Sequence, residues 1–428
     1  MRFPGRLAAA IAVLTDVEQR KRPVSEALKA WGLNNRFAGA GDRAAIGNLV
    51  YDALRRRASH AFAMNSDSPR ALVLAVAMRD WGETPASLAE IFASDDHAPE
   101  PLTPEEIAGA EADLSSAPPA IRADIPEWLA PSLERAFGGD WIAEGEAMAA
   151  RPSLDLRVNA LKAAPEKVMR SLARFSPQPA AIAPFGLTMP AGPRDARTPN
   201  VNTDEGYLKG WFEVQDQGSQ IVAALANARQ GEQVLDLCAG AGGKTLALAA
   251  NMGNSGQIFA YDSDRSRLAP IYDRLKRNGV RNAQVRAPNP GALDDLVGKL
   301  DRVVVDAPCT GTGTWRRRPD TKWKLTPELL AQRLSEQAAL LVEAARYLKP
   351  GGTLVYITCS ILPEENDDQI AAFLAANPGF ESQDMSTAWR SALITDMPEG
   401  LSTAAGGVCL TPLRTSTDGF YCHLLRRK

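Results

Sequence analysis

Two cysteines stand where the sequence predicts that strands end. Cys309 lies in the run Asp306-Ala307-Pro308-Cys309, just after the apolar segment 302–307, and Cys359 follows the apolar segment 353–358. The carboxyl ends of parallel strands open onto one crevice of an α/β sheet. A single cysteine at such a position is most often a small buried hydrophobe. Two cysteines beside Asp306 indicate a site that uses sulfur, provided that the two strands are neighbours.

Methylation of carbon 5 of cytosine is a reaction that needs such thiols, because this carbon is too poor in electrons to attack a sulfonium methyl group directly. A thiolate that adds to C6 makes C5 nucleophilic, and the thiol leaves after methyl transfer and loss of the C5 proton. A free thiol is only a few per cent thiolate at neutral pH, so the site must supply positive charge. Lys244 and the run Arg316-Arg317-Arg318 are the candidates, although solvated surface arginines would give the same pattern.

A glycine-rich loop follows the apolar segment 233–238 and leads into a predicted helix. Its residues are Cys238, Ala239, Gly240, Ala241, Gly242, Gly243, Lys244 and Thr245. A dinucleotide-binding fingerprint would need a third glycine where Thr245 stands. The end of the loop matches a Walker A motif, with Asp306 as a Walker B acid, but the first glycine of that motif falls on Cys238. A P-loop nucleotide hydrolase is therefore one alternative.

The same loop suits S-adenosylmethionine, because it can hold the methionine part while an acid at the end of the next strand binds the ribose hydroxyls. Asp262 closes the predicted strand 257–261 and occupies that position. We therefore predict that residues 238–244 and Asp262 contact this cofactor. The structural alternative is helix capping by Asp262 or Asp264 together with tight packing of the glycines.

The elements that must position these residues alternate regularly from Gln233 onward. Strands are predicted at 233–238, 257–261, 283–287, 302–307 and 353–358, with helices from 244 and at 265–278, 327–348 and 363–376. This alternation predicts an α/β fold with a doubly wound parallel sheet. Two further strands, 408–410 and 420–425, are expected to complete the sheet as an antiparallel hairpin.

Three regions are predicted before the sheet domain, which covers residues 206–428. Residues 1–93 show helical patterns, most clearly over 42–57, which ends in Arg55-Arg56-Arg57. That basic end suits either the helix macrodipole or RNA. Residues 94–120 are acidic and rich in proline and are predicted to link domains. Residues 121–205 combine helices at 128–137 and 165–174 with strands at 154–158 and 185–189, which predicts a small α/β module.

Composition excludes several classes of protein. The chain is 45% hydrophobic and 23% charged, which is typical of a soluble protein, and its net charge of -3 argues against a chain that is basic throughout. Five cysteines without a C-x-x-C pair and three scattered histidines predict neither a disulfide framework nor a metal site, so a reducing cytoplasm is expected. No apolar run approaches the roughly 20 residues needed to cross a bilayer, so no membrane association is predicted.

Several motifs together resemble the Nop/Sun family of RNA cytosine-5 methyltransferases, strongly over 206–428 and weakly before. The motifs are Phe212-Glu213-Val214-Gln215-Asp216-Gln217-Gly218-Ser219-Gln220, Asp236 to Thr245, Asp306-Ala307-Pro308-Cys309, Arg317 to Trp323, Thr358-Cys359-Ser360, Pro363-Glu364-Glu365-Asn366 and Asp418-Gly419-Phe420-Tyr421. The resemblance implies a class I methyltransferase (Rossmann-like) sheet, S-adenosylmethionine as cofactor, RNA and specifically ribosomal RNA as substrate, and a monomer.

The resemblance also implies roles for single residues. Cys359 is the nucleophile and Cys309 assists release of the product, while Asp306 and Lys244 orient the cytosine or the cofactor. RNA contacts are expected from Arg316, Arg317, Arg318 and Lys322. The N-terminal helices are expected to be NusB-like and residues 121–205 RRM-like, both as RNA-binding modules.

Two positions depart from the family pattern. The family loop usually reads Cys-Ala-Ala-Pro-Gly-Gly-Lys, whereas this chain has Gly240-Ala241 in place of Ala-Pro. A family aspartate that meets the adenine is replaced by Asn289, whose amide carbonyl can still accept a hydrogen bond from an adenine amine. We expect weakened rather than abolished cofactor binding. A catalytically idle RNA-binding or assembly protein is therefore the second alternative.

Overall fold

The computed structural model describes residues 1–428, which form two compact units. The first unit comprises Met1–Pro152 with two short segments from later in the chain, Ala191–Thr198 and Trp315–Lys324. The second comprises Ser153–Pro190, Pro199–Thr314 and Leu325–Lys428. None of the helices combines the length and the apolar character that a bilayer-spanning segment needs.

The first unit is helical, as the apolar spacing of its sequence predicts. The stripe Ile46, Leu49, Val50 and Ala53 is fully buried. Its helices are α1 Phe3–Arg20, α2 Val24–Asn34, α3 Ala40–Arg55, α4 Arg57–Ala63, α5 Pro69–Ala75 with a π-helical turn Val76–Asp80, α6 Pro85–Ala93, α7 Pro104–Ala110, α8 Pro119–Arg122, α9 Ala130–Phe137 and α10 Trp141–Met148.

The acidic stretch 94–120 belongs to this helical unit and is not an extended link between domains. It contains α7, whose first turn is capped by Thr103, and Arg70 Nε donates to Glu106 Oε1 at 2.7 Å. Pro104 stands at the first position of α7, where a helix tolerates proline because that N–H needs no partner. Proline in this stretch starts a helix. A prediction from composition alone cannot distinguish such a proline from one in a linker.

A small antiparallel sheet opens the second unit. Its strands are β1 Leu154–Val158, β2 Gln178–Pro179, β3 Gly186–Met189 and β4 Phe212–Val214, in the order β2-β3-β1-β4, with helix α11 Pro165–Ser171. Leu156, Val168, Leu187 and Phe212 are buried together in its core. The predicted module boundary at residue 205 is therefore corrected, because β4 lies beyond it.

The large sheet confirms the predicted doubly wound α/β architecture. Its strands are β5 Gln233–Asp236, β6 Gln257–Tyr261, β7 Ala283–Arg286, β8 Leu300–Asp306, β9 Leu348–Thr358, β10 Phe380–Ser382, β11 Val408–Leu410 and β12 Phe420–Arg427, in the order β10-β12-β9-β8-β5-β6-β7. Strands β5 to β9 pair in parallel, whereas β12 is antiparallel to β9 and to β11. The strand order reverses at β5, so a crevice opens beyond the carboxyl ends of β5 and β8.

The remaining helices are α12 Glu205–Leu208, α13 Gln217–Leu225, α14 Gly243–Asn251, α15 Arg265–Leu268, α16 Ile271–Asn278, α17 Pro319–Lys322, α18 Pro327–Tyr347, α19 Asp367–Ala376, α20 Met385–Ala392 and α21 Pro412–Thr415. Of these, α17 belongs to the first unit. The single helix predicted over 265–278 is broken into α15 and α16 at Pro270, which lacks the N–H that would continue the helical ladder. The short edge strand β10 was not predicted, because Phe380 is the only apolar residue among its three.

Candidate active site

The two cysteines of the sequence prediction lie side by side. Cys309 follows β8 and Cys359 follows β9, and these strands are parallel neighbours in which Asp306 pairs with Ile357. The distance between Cys309 Sγ and Cys359 Sγ is 3.3 Å, and both thiols are free. The condition that the sequence left open, adjacency of the two strands, is therefore met.

Buried polar groups hold the loop that carries Cys309. Glu365 is fully buried and accepts from the Thr310 N–H at 2.8 Å. Gln337 Nε2 donates at 3.0 Å both to the Pro308 carbonyl and to Glu365 Oε1. These bonds fix the backbone on both sides of Cys309. The family motif Pro363 to Asn366 includes Glu365 but predicts no role for its side chain. No feature of the sequence predicts a role for Gln337.

The Cys359 loop is fixed by a second set of bonds. Thr358 Oγ1 donates to Asn366 Oδ1 at 2.6 Å, and Asn366 Nδ2 donates to the Ser360 carbonyl at 2.9 Å. The Gly313 N–H donates to the Cys359 carbonyl at 3.0 Å, which joins the two cysteine loops directly. Both sulfurs are therefore presented by backbones with little freedom to separate.

Electrostatics keep Cys309 protonated. Its hydrogen bond with Cys359, together with burial, raises the pKa of the Cys309 thiol well above its usual range. Either sulfur can donate across the 3.3 Å that separates them, and the raised pKa favours the S–H form of Cys309. A thiol in that position can donate a hydrogen bond to a neighbouring thiolate.

Lys244 lies at the start of α14 with its side chain buried at 5% exposure. Its Nζ donates to Asp306 Oδ2 and to Ser219 Oγ, each at 2.9 Å. The predicted pair of Lys244 and Asp306 is therefore an ion pair at the ends of β5 and β8. Ser219 is a partner that the sequence did not reveal, because it lies 25 residues from Lys244 on another helix.

The glycine loop and Asp262 are in direct contact. The Gly240 N–H donates to Asp262 Oδ2 at 2.9 Å, and the Asp264 N–H donates to Asp262 Oδ1 at 2.9 Å. Asp264, not Asp262, caps α15. A Cβ at Gly240 would lie 3.8 Å from Asp262 Oδ2 and would fill the space beside this carboxylate.

Inside the loop lies Asp236, the last residue of β5. Burial raises the pKa of Asp236 to about 7, and its Oδ1 is buried without a hydrogen-bond partner. The predicted loop residues Cys238, Ala239, Ala241, Gly242 and Gly243 all lie between β5 and the first turn of α14. The uncrowded space at Gly240, the acid after β6 and the carboxyl oxygen of Asp236 without a partner form a set of polar groups that fits S-adenosylmethionine.

Asn289 lies in the loop after β7, the strand next to β6. Its side chain is exposed, and its Oδ1 accepts from an Arg265 guanidinium nitrogen at 3.3 Å. The amide carbonyl that was predicted to meet an adenine amine is thus shared with an arginine. A cofactor contact through Asn289 stays a prediction.

The predicted RNA-contact set requires a correction. Lys322 and Arg316 are only 1% and 5% exposed within the first unit, and Lys322 Nζ donates to the Arg55 carbonyl at 2.8 Å. Burial lowers the pKa of Lys322 to about 8. These two side chains are packed inside the protein, whereas Arg318 is exposed and Arg317 is half-buried. A run of basic residues in a sequence does not indicate which of their side chains face solvent.

Two family models match the chain. The model described as 16S rRNA methyltransferase RsmB/F matches residues 223–426, and the RsmF/B-like ferredoxin-like domain matches residues 125–191. A probable ribosomal RNA small subunit methyltransferase B from Synechocystis sp. is 35% identical over 314 residues, which cover 71% of this chain and 67% of that protein. Ribosomal RNA small subunit methyltransferase B from Klebsiella pneumoniae subsp. pneumoniae is 39% identical over 261 residues, which cover 60% of this chain and 58% of that protein.

A solved structure has a similar fold. The crystal structure of a methyltransferase homolog protein from Pyrococcus horikoshii superimposes with a TM-score of 0.59 at 27% sequence identity, covering 72% of this chain and 98% of that one. The ferredoxin-like match and the small sheet β2-β3-β1-β4 occupy overlapping parts of the chain.

Proposed function

The chain belongs to the RsmB/F family of 16S ribosomal RNA methyltransferases, and from this premise we propose that it methylates C5 of a cytosine in ribosomal RNA with S-adenosylmethionine as the methyl donor. The observation that carries the proposal is the pair of sulfur atoms 3.3 Å apart at the ends of β8 and β9. Membership of this family decides against the P-loop hydrolase alternative. We propose that the glycine loop binds S-adenosylmethionine and not a triphosphate.

The proposed chemistry divides between the two thiols. The Cys359 thiolate adds to C6 of the extruded base, which raises electron density at C5. S-adenosylmethionine, when bound, supplies the electrophilic methyl group. After a base removes the C5 proton, the bond between C6 and Cys359 Sγ breaks and its electrons return to sulfur. The Cys309 S–H, which burial and its neighbour keep protonated, hydrogen-bonds to this departing thiolate.

Other residues of the site hold the reactants. Lys244 and Asp306 lie at the crevice where the cytosine ring is placed, and their ion pair offers both a donor and an acceptor to it. The loop 238–243 and Asp262 would hold the methionine part and the ribose. Arg317 and Arg318 remain proposed RNA contacts. A ribosomal RNA substrate places the activity in the cytoplasm, and we propose that the protein acts as a monomer.

The two cysteines are distinguished by single substitutions. Cys359→Ala is expected to abolish methyl incorporation into RNA, because no nucleophile reaches C6. Cys309→Ala is expected to accumulate a covalent protein–RNA adduct, because the departing thiolate loses its hydrogen-bond donor. Incorporation of labelled methyl groups and denaturing electrophoresis of the adduct measure the two outcomes.

Calorimetric titration with S-adenosylhomocysteine is the control, since both variants should bind it as the wild type does. Wild-type turnover by Cys359→Ala would contradict the assignment of the nucleophile. Binding of S-adenosylhomocysteine without any loss of 5-methylcytosine from RNA after deletion of the gene would favour the idle assembly protein.

A further inference from the structure

A groove lies beside the small sheet, away from the cysteine pair. It has a volume of about 340 Å³ and runs between the end of β1, the turn before β3, and helices α13 and α14. Its walls are mostly apolar and include Val158, Ala224 and Ala250, with the exposed ring of Phe185 also lining it. All of its lining residues belong to the second unit. Its volume falls in the range of pockets that take small organic groups.

Two polar side chains in the groove have unused hydrogen-bonding capacity. Gln220 is 5% exposed, and its Nε2 donates to the Gln215 carbonyl at 2.8 Å, but its Oε1 is buried without any partner. Arg157 is 7% exposed and uses only its Nε, which donates to Gln215 Oε1 at 2.6 Å. Its two terminal amino groups have no hydrogen-bond partner in the protein. An unsatisfied buried acceptor costs about 1–3 kcal/mol unless something binds to it.

These two residues are connected to the methyl-transfer site. Gln215 accepts from Arg157 and its Nε2 donates to Ser219 Oγ at 3.1 Å. Ser219 Oγ in turn accepts from Lys244, which is paired with Asp306. The motif 212–220, which had no task in the sequence analysis, thus forms a continuous set of hydrogen bonds from the groove to Lys244.

The unused groups define the chemistry of an occupant. The charge of Arg157 has a counter-charge in Glu213 on the neighbouring strand, but its terminal N–H groups require an acceptor, and Gln220 Oε1 requires an N–H donor. Apolar walls and the Phe185 ring favour a flat, weakly polar body. A nucleobase has all three properties, since every base carries hydrogen-bond acceptors and N–H donors on one edge and π faces above and below. Guanidinium groups are the side chains that most often contact base edges.

We propose that this groove binds an unpaired nucleobase of the substrate RNA, distinct from the cytosine that is methylated. The inference rests on the proposed function only in taking RNA as the ligand. An unpaired base in the groove would satisfy Gln220 Oε1 and the terminal amino groups of Arg157 at once. It would also fix the strand at a second point, and Gln215 and Ser219 would connect that point to Lys244.

The proposal is tested with substitutions that fill the groove and leave its polar side chains unchanged. Ala224→Leu and Ala250→Leu place a larger apolar side chain on the groove walls, on helices that tolerate leucine as well as alanine. Each is expected to weaken binding of protein-free ribosomal RNA, isolated from a strain without the gene, by about tenfold, the effect of losing one charge-assisted contact. Fluorescence anisotropy measures the dissociation constant, and thermal unfolding verifies that each variant folds. Ala345→Leu, on a half-buried position of α18 outside the groove, is the matched control and should bind like the wild type.

The possible outcomes separate the two proposals. Weaker RNA binding by both groove variants, with unchanged titration of S-adenosylhomocysteine, supports the groove whether or not methyl transfer is detected. Unchanged RNA binding by both variants overturns it. Variants that bind naked RNA normally but fail only on ribosomal particles would show that a protein side chain occupies the groove, which also overturns it. Absence of methyl incorporation by the wild type would contradict the proposed function and leave the binding result standing.

Discussion

Asp236 shows how burial changes the behaviour of one side chain. It is fully buried at the end of β5, and Thr245 Oγ1 donates to one of its oxygens at 2.6 Å. Burial disfavours the charged form and raises the pKa of Asp236 from 3.8 to about 7, an effect that outweighs the hydrogen bond from Thr245. The folded state therefore binds more protons than the unfolded chain between these two pKa values. The free energy of unfolding must fall as the pH rises through this window.

Asp236→Asn is expected to remove this pH dependence, because an amide of the same shape does not ionise and can still accept from Thr245. Relative to the variant, the wild type should lose about 1.4 kcal/mol per pH unit between pH 5 and its folded pKa near 7, and no more above it. Urea unfolding of the cofactor-free protein at several pH values measures the difference. Asp264→Asn serves as the control, since Asp264 has a lowered pKa and should show no trend in this window. If the free energies of unfolding of the wild type and Asp236→Asn changed with pH in parallel, the raised pKa of Asp236 would be contradicted.

At the scale of elements, the connection from β5 to α14 depends on glycine at a crowded turn. Gly242 has a φ of +85°, and a Cβ there would lie 2.6 Å from Ile271 on α16. The loop is also held by Arg274 of α16, which donates to the Ala241 carbonyl at 2.8 Å. The close approach of α16 to the glycine loop therefore needs a residue without a side chain. The backbone conformation needs glycine for a second reason, its positive φ.

Gly242→Ala is expected to lower the free energy of unfolding by more than its positive φ alone can explain. Gly298 has a φ of +71° with open space around it, so Gly298→Ala measures the conformational term, about 1 kcal/mol. Gly242→Ala should add about 1–3 kcal/mol of overpacking against Ile271. It should also weaken binding of S-adenosylhomocysteine, which Gly298→Ala should not. Equal losses in the two variants would show that the contact with Ile271 relaxes freely.

At the scale of the whole second unit, one carboxylate joins the small sheet to the large one. Glu213 on β4 is buried and accepts from Arg274 at 2.9 Å and from Asn278 Nδ2 at 2.6 Å, both on α16, with Arg277 as a third partner. Burial raises the pKa of Glu213. The hydrogen bond from Asn278 and the charges of Arg274 and Arg277 lower this pKa by a larger amount, so the net shift is downward. The glycine loop is linked to the same attachment, since Arg274 also donates to the Ala241 carbonyl.

Glu213→Gln is expected to destabilise the second unit by about 3 kcal/mol, because two guanidinium groups lose their buried counter-charge. Thermal unfolding followed by circular dichroism measures the loss. Glu205→Gln is the control, since Glu205 is paired with Lys209 at the surface, where such pairs contribute little. An unfolding temperature for Glu213→Gln as high as that of Glu205→Gln would show that the small sheet is held by its apolar core alone.

The sequence by itself determined the strands of the large sheet except β10, and several of the helices around it, because the alternation of apolar residues is a local property. It also determined the glycine loop, the acid at Asp262 and the two cysteines at strand ends, since each is defined by a few consecutive residues. Resemblance to a known family added the ligands that we expect this site to bind. For these features the structure changed boundaries by only a few residues.

Only the tertiary structure decided which of these residues meet. The adjacency of β8 and β9, and with it the 3.3 Å between the sulfurs, depends on pairing between segments about 50 residues apart. The partners of Lys244, the placement of β4 in the small sheet and the burial of Arg316 and Lys322 likewise come from distant parts of the chain. Packing and strand order are set by the total free energy of the folded chain, and no local pattern carries that information.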